Sequence, residues 1–249
     1  MTARPPHPVA IVTGAARNIG RAIALKLAGE GAAILVSAQK DLAGAEETAS
    51  LVEKAGGRAA VELADVTDEG AVARLVSAAA ERLGPPGILV NNAALRSRQP
   101  FLETSLADWR KVISINLEAA FLCARGCLPY MIEAGWGRIV SIGGRSGHSG
   151  ASERAHVVTS KSALVGLTKA IAVEFGAKGV TANLVVPGDI DTVRGASAGP
   201  LAAHASHGNL VGRLGKPEEI AGLVAYLCRD EAAYVTGQTL HCNGGGYLP

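Results

Sequence analysis

Aromatic side chains are scarce in this sequence: three Phe, two Trp and four Tyr among 249 residues. Hydrophobic residues nevertheless reach 48%, so the core has to be built from Ala, Val, Ile and Leu. Such a core suits helices packed closely on a parallel sheet. Charge of one sign is also lacking. The formal net charge is only +2, with no Lys/Arg run and no basic-aromatic stripe, so nucleic acid is not an expected partner. Cysteine is limited to Cys123, Cys127, Cys228 and Cys242, without CxxC spacing or a His/Cys cluster. These read as small core residues, and no metal is expected. No unbroken apolar run reaches the ~18 residues of a membrane span, and residues 1–8 are polar and proline-rich rather than a signal peptide. A membrane partner is therefore not expected, and the cytoplasm is the default location. No Pro/Gly/Ser linker divides the chain, so residues 1–249 read as one domain.

What is present is a repeated alternation of short apolar runs and helical patterns. Strands are expected at 9–12, 33–36, 59–63, 88–90, 138–142, 181–186 and 238–242. Helices are expected with Ile19, Ile23 and Leu27 on one face and Gly31 closing it, over 42–55, from a Thr67 or Asp68 cap, and over 109–132, 155–175 and 217–228. Strand–helix alternation implies parallel strands joined by right-handed crossovers. The expected fold is α/β: a doubly wound, mostly parallel sheet with helices on both faces, the Rossmann arrangement. Ligands in such folds sit beyond the carboxyl ends of the strands.

The first strand runs into Thr13-Gly14-Ala15-Ala16-Arg17-Asn18-Ile19-Gly20. Small residues between a strand and a helix N-terminus let backbone N–H groups approach a pyrophosphate. Gly14, Arg17, Asn18, Ile19 and Gly20 are thus candidate dinucleotide contacts. Asn18 stands where a further glycine is expected, and Asn tolerates positive φ better than most residues. The second strand ends in Ser37-Ala38-Gln39-Lys40. An acid there would hold the adenine ribose and repel a 2′-phosphate; none is present, whereas Arg17, Ser37 and Lys40 suit that phosphate. NADP(H) is therefore favoured over NAD(H).

These elements, in order, resemble the short-chain dehydrogenase/reductase family in its single-domain form, near its 3-oxoacyl-carrier-protein reductase-like members. The resemblance rests on the Thr13 to Gly20 turn, Asp65-Val66, Asn91-Asn92-Ala93, Asn116, Ser160-Lys161-Ser162-Ala163, Pro187-Gly188-Asp189-Ile190-Asp191-Thr192 and Tyr234-Val235-Thr236-Gly237-Gln238. It implies that Asp65 and Val66 touch the adenine, Asn92, Ala93 and Ala94 the adenosine side, and Pro187, Gly188, Ile190 and Thr192 the nicotinamide end. It implies that Lys161 holds the nicotinamide ribose and that Asn116 belongs to the catalytic set. Ala94 replaces the usual glycine of the asparagine motif. The family's tyrosine falls four residues before the lysine and its serine thirteen before that, which here are Val157 and Gly144. The usual acid/base pair is thus absent.

Neighbours that can carry a proton are His156, His148, Lys161 or a water, with Ser141, Arg145, Ser146 and Arg154 also near in sequence. His156 lies about 100° around the helix from Val157, and His148 follows the fifth strand. Two functions stand open. One is an oxidoreductase acting on a small carbonyl, alcohol or conjugated C=C substrate. The other is a cofactor-binding sensor or oligomer-forming protein without turnover. The resemblance implies a homo-oligomer, typically a tetramer, joined through helices 109–132 and 155–175 and through the C-terminal strand. Residues 191–210, rich in Gly, Ala, Ser and His, fall in the substrate segment.

Overall fold

The structure, a computed structural model, describes residues 4–193 and 208–249. Most of the expected substrate segment thus lies outside the described residues. Seven strands form one sheet in the order β3-β2-β1-β4-β5-β6-β7. They are β1 Val9–Thr13, β2 Ala33–Ala38, β3 Ala59–Leu63, β4 Pro86–Asn91, β5 Gly137–Ile142, β6 Val180–Pro187 and β7 Thr239–Cys242. Every pairing is parallel. The chain winds outward from β1 to β3, returns to β4 beside β1, and winds outward again. The switch point therefore lies between the carboxyl ends of β1 and β4, where a crevice is expected.

The intervening helices are α1 Asn18–Ala28, α2 Leu42–Lys54, α3 Glu69–Arg82, α4 Leu106–Ile113, α5 Ala119–Ala134, α6 Ser146–Ser149, α7 Ala155–Phe175 and α8 Pro217–Leu227. Asp68 caps α3 by accepting from the Ala71 N–H at 2.6 Å, which decides between the two expected caps. Alternation along each strand gives the sheet two apolar faces. Val12, Val36 and Val90 join Ile23, Leu27, Val52 and Val224 in a core beneath α1, α2 and α8. Ile11, Leu35 and Leu89 join Leu75, Cys123, Cys127 and Ile171 beneath α3, α5 and α7. This is the doubly wound Rossmann arrangement expected from the sequence.

The long helix expected at 109–132 is continuous but not uniform. A π-helical segment, Ser114–Glu118, joins α4 to α5. The whole run Leu106–Ala134 has the length and composition of a bilayer span. Its buried Cys123, Cys127 and Met131 instead pack under the sheet, the behaviour of a core helix. Cys123, Cys127 and Cys228 are buried free thiols. Burial pushes Cys123 up to about 12, so it has no thiolate character near neutral pH.

Candidate active site

At the switch point, side chains stitch the strand ends together. Thr13 Oγ1 accepts from the N–H groups of Asn92 and Ala93 at 3.0 and 3.1 Å. The Asn92 amide donates to the carbonyls of Thr13 and Gly14 at 2.9 and 3.0 Å. On the other side, Thr48 Oγ1 lies 3.0 Å from the Ala15 carbonyl and Arg21 donates to the Ala16 carbonyl at 2.6 Å. These bonds hold the turn carbonyls from both flanks. The first N–H groups of a helix have no intrahelical partner, and those of α1 belong to residues lining an open cavity.

Gly14 has φ +64°. A Cβ built on Gly20 would stand 2.3 Å from the Gly14 carbonyl oxygen, so the turn requires glycine there before any ligand is considered. Asn18 adopts φ +54°. Its amide donates to the Val193 carbonyl at 2.8 Å and accepts from the Val193 N–H at 3.0 Å. The side chain thus ties the turn to the segment after β6.

The cavity measures about 820 Å³. It gathers Gly14, Arg17, Asn18, Ile19, Gly20, Ser37, Ala38, Gln39, Asp65, Val66, Asn92, Ala93, Ala94, Lys161, Pro187, Gly188, Ile190 and Thr192 along one wall system. Every candidate cofactor-binding residue drawn from the sequence lines this one cavity. Ser37 Oγ is buried there with no hydrogen-bond partner among the described residues, as a group reserved for a ligand oxygen would be. Asp65 accepts from the Thr67 hydroxyl, the Thr67 N–H and Gln39. Those bonds hold its carboxyl below the usual range, with the Thr67 hydroxyl contributing most. Size, helix N-terminus and orphaned hydroxyl together fit a dinucleotide.

The catalytic candidates separate. Lys161 lines the cavity beside Gly144 and Val157. Its Nζ donates to the Ile142 carbonyl at 2.7 Å. Burial, with a smaller contribution from the Arg96 charge, pushes this ammonium down to about 7. Asn116 does not line the large cavity. It sits in the π segment, accepting from the Leu95 N–H at 2.8 Å and donating to the Leu95 carbonyl and Ser160 Oγ, both at 3.0 Å. It borders only a water-sized void behind Lys161.

Neither histidine lines the cavity. His156 is buried, with Nδ1 accepting from the Val157 N–H at 3.0 Å and Nε2 meeting Ser97 Oγ at 3.1 Å. His148 lies on the short helix α6, not in an irregular loop. It stacks edge-on against His241 with ring centroids 4.7 Å apart. Burial holds its imidazole below the ordinary value. Sequence reasoning missed Arg96, Arg98, Gly143, Ser149 and Val193 as cavity residues. Among the described residues, no group of three or more His, Cys, Asp or Glu is placed to hold a metal.

The Enoyl-(Acyl carrier protein) reductase family model matches residues 14–246. Among curated proteins, the 3-oxoacyl-[acyl-carrier-protein] reductase FabG of Pseudomonas aeruginosa is 37% identical over 241 residues, covering 96% of this chain and 97% of that protein. Cis-4-hydroxycyclohexanecarboxylate dehydrogenase of Sinomonas cyclohexanicum is 39% identical over 241 residues, covering 95% of each. Among solved structures, a candidate NAD(P)-dependent gluconate 5-dehydrogenase from Beutenbergia cavernae, with NADP bound at low occupancy, superposes with TM-score 0.89 at 36% identity and 96% coverage of each chain. A crevice at the β1/β4 switch point, a glycine turn opening α1 and similarity over nearly the full length agree: the chain belongs to the single-domain short-chain dehydrogenase/reductase family of oxidoreductases.

Proposed function

We propose that this chain is an NADP(H)-dependent oxidoreductase acting on a small carbonyl, alcohol or conjugated C=C substrate, with Lys161 carrying the proton. When bound, the nicotinamide supplies or accepts a hydride. The residues that would hold the dinucleotide are the Gly14 to Gly20 turn, Asp65, Asn92 to Ala94, and Pro187 to Thr192. Arg17, Ser37 and Lys40 favour the 2′-phosphate. The nearby Asp41 carboxylate is engaged in capping α2, accepting from the Gly44 N–H at 3.0 Å. The NADP in the Beutenbergia cavernae structure supports the same choice.

The observation that carries the mechanism is the buried Lys161 ammonium, pushed down to about 7 and lining the cavity beside Val157 and Gly144. An amine near neutrality is an efficient proton carrier. His156 and His148 line no part of the cavity and are not assigned the role. Asn116 positions Leu95 and α7 rather than touching substrate. Two relatives named above, the cyclohexanecarboxylate and gluconate dehydrogenases, are named for substrates that bear a carboxylate. The same reading places the protein in the cytoplasm as a homotetramer.

Consumption of NADPH with ketones, quinones and enones, against a Lys161→Ala control, tests the reading. Turnover that disappears in the control is the expected result. A second reading, cofactor binding without turnover, is favoured by Lys161 Nζ being held on the Ile142 carbonyl and by Val157 and Gly144 offering no proton. It predicts tight NADPH binding with no consumption across the panel. A Cβ built on Gly144 meets only Lys161 Cγ, at 3.9 Å. Gly144→Ser with Val157→Tyr is therefore sterically admissible at residue 144. Ketone reduction appearing only in that double variant would show that the native protein is not an ordinary carbonyl reductase.

A further inference from the structure

The turn that follows β7, residues 243–247, is folded by one side chain. Asn243 Oδ1 accepts from the Gly245 N–H at 2.9 Å, and its amide nitrogen donates to the Tyr247 carbonyl at 3.0 Å. The turn grips two other segments. Its Gly244 carbonyl accepts from the N–H groups of Leu210 and Val211 at 2.8 and 3.1 Å. Toward α6, the rings of His148, His241 and Tyr247 form a triangle with centroids 4.7, 5.2 and 5.8 Å apart. The α6 segment is in turn part of the cavity wall. Ser146 and Ser149 line the cavity with Gly144 and Arg145. A Cβ built on Gly147 would stand 2.9 Å from Lys161 Cβ, and the Ser162 hydroxyl donates to the Gly147 carbonyl.

The triangle is built for neutral imidazoles. His148 Nε2 is buried with no hydrogen-bond partner among the described residues. An imidazolium donates from both nitrogens, so its Nε2 proton would be buried without an acceptor, at a desolvation cost. His241 Nδ1 faces the Asn243 amide nitrogen at 3.4 Å. The Gly245 and Tyr247 bonds fix that nitrogen as a donor, so Nδ1 has to offer a lone pair. Protonation would set two N–H groups against each other. Burial holds both rings below the ordinary imidazole value, and His148 adds to the effect on His241. The surrounding charges do not reverse this. Before α6, Arg145 lies against Gly246 and pairs with Asp189 at 2.9 Å. From α7 comes Lys161, a cation when protonated. On α8, the Glu219 carbonyl lies 3.9 Å from Cys242 Sγ, and its carboxylate is held by Arg213 at 2.7 Å. Both carboxylates are thus committed to arginines.

We infer that the 243–247 turn is a pH-sensitive clasp on the cavity wall, closed while His148 and His241 are neutral and released when either takes up a proton. Release frees α6, with Gly144 and Arg145 just before it, and the segment 209–212. In the open turn the imidazoles take up protons at their ordinary value, about 6.5; in the closed turn they resist. The clasp is therefore fully closed above that value and loosens as pH falls below it. Each unit separating the two states is about a tenfold change in the closed-to-open ratio. The inference does not depend on what the cavity turns over.

Hydrogen exchange of the full chain at pH 5.5 and pH 8, with exchange times rescaled for the chemical rate, tests it. The reporters are the bonded N–H groups of Gly245, Gly246, Leu210 and Val211. They should exchange about tenfold or more faster at pH 5.5, with β1 unchanged. His148→Phe with His241→Phe keeps aromatic rings that take up no proton, and should remove the acid effect. Lys161 is retained in that variant, so acid opening that persists in it belongs to another group and overturns the inference. Equal rescaled exchange at the two pH values overturns it, as does acceleration that includes β1. Where the double variant has already lost protection at pH 8, imidazole NMR titration of the parent chain decides. His148 or His241 titrating a unit or more below about 6.5 supports the clasp, and both titrating at that ordinary value overturns it.

Discussion

At the scale of single residues, two side chains carry more consequence than their neighbours. Lys161 ordinarily titrates at 10.5 and is held at about 7 here, chiefly by burial. Between those two values the unfolded chain binds the proton and the native chain does not. By linkage, this group's contribution to stability rises with pH across that window, and its full cost is present below about 7. Lys161→Met should therefore be more stable than the parent at pH 6, with the advantage shrinking by pH 9 in denaturant titrations. An advantage independent of pH would exclude a depressed lysine. The same titration sets the direction of catalysis. Reduction needs the protonated amine and should fall as pH rises through about 7, whereas alcohol oxidation needs the neutral amine and should rise. Profiles with the same slope in both directions would remove Lys161 as the proton carrier. Asn18 supplies the second case. Its φ of +54° is costly for an ordinary L-residue, by about 1–2 kcal/mol, and its amide makes two bonds to Val193. Asn18→Gly loses the bonds but not the conformation, and Asn18→Ala loses both. Urea unfolding should rank parent, Gly, then Ala, with the last two about 1–2 kcal/mol apart. Equal stability of the two variants would mean that the turn relaxes.

At the scale of elements, sequence periodicity located every strand but not every end. The strands extend to Thr13, Ala38, Asn91 and Pro187, beyond the apolar runs that announced them. Ala38 and Pro187 line the large cavity and Thr13 and Asn91 the small void behind Lys161; polar or small residues end the strands there, so the hydrophobic pattern stops before the strand does. That the Gly14 to Gly20 turn and the short ordered motifs would line one cavity was legible because each is specified by residues close in sequence. The π segment was not. Its register follows the reach of Asn116 to Leu95, 21 residues away, and helical periodicity carries no trace of such a bond. That Arg96 and Arg154 line the same cavity was illegible for the same reason. Their segments are bridged by the Gln99 to Glu153 backbone bond and by the Ser97 to His156 contact, both long-range. His156, read from chemistry as a proton carrier, is buried in that cross-link. Removing the π-segment contact should show its structural weight. Asn116→Leu leaves the Leu95 N–H and carbonyl without their partner, at about 1–3 kcal/mol for an unsatisfied buried group. Hydrogen exchange at residues 95–99 should accelerate while that of β1 is unchanged. Uniform acceleration across the sheet would instead indicate global loss of stability.

At the scale of the whole molecule, α5 and α7 raise the question of assembly. Both pack their inner faces onto the same side of the sheet, yet both leave apolar groups outside. Phe121 is 46% exposed and Val173 86%. Arg125 lies over the Phe121 ring at 5.4 Å and pairs with Glu69, so the ring is partly shielded and Val173 is not. Apolar groups on two helices of the same sheet face suit a self-complementary two-fold contact. The proposed tetramer would place one such contact here and another along β7 at the sheet edge. A charge placed in a helix contact disrupts it, whereas on a solvated helix face it is close to neutral, within about 0.5 kcal/mol. Phe121→Glu with Val173→Glu should therefore lower the sedimenting species from a tetramer to a dimer without changing the thermal midpoint of the separated subunit. A double variant that still sediments as a tetramer would move the contact elsewhere on the molecule. A parent chain that sediments as a monomer would remove the tetramer and leave these exposed side chains as ordinary surface.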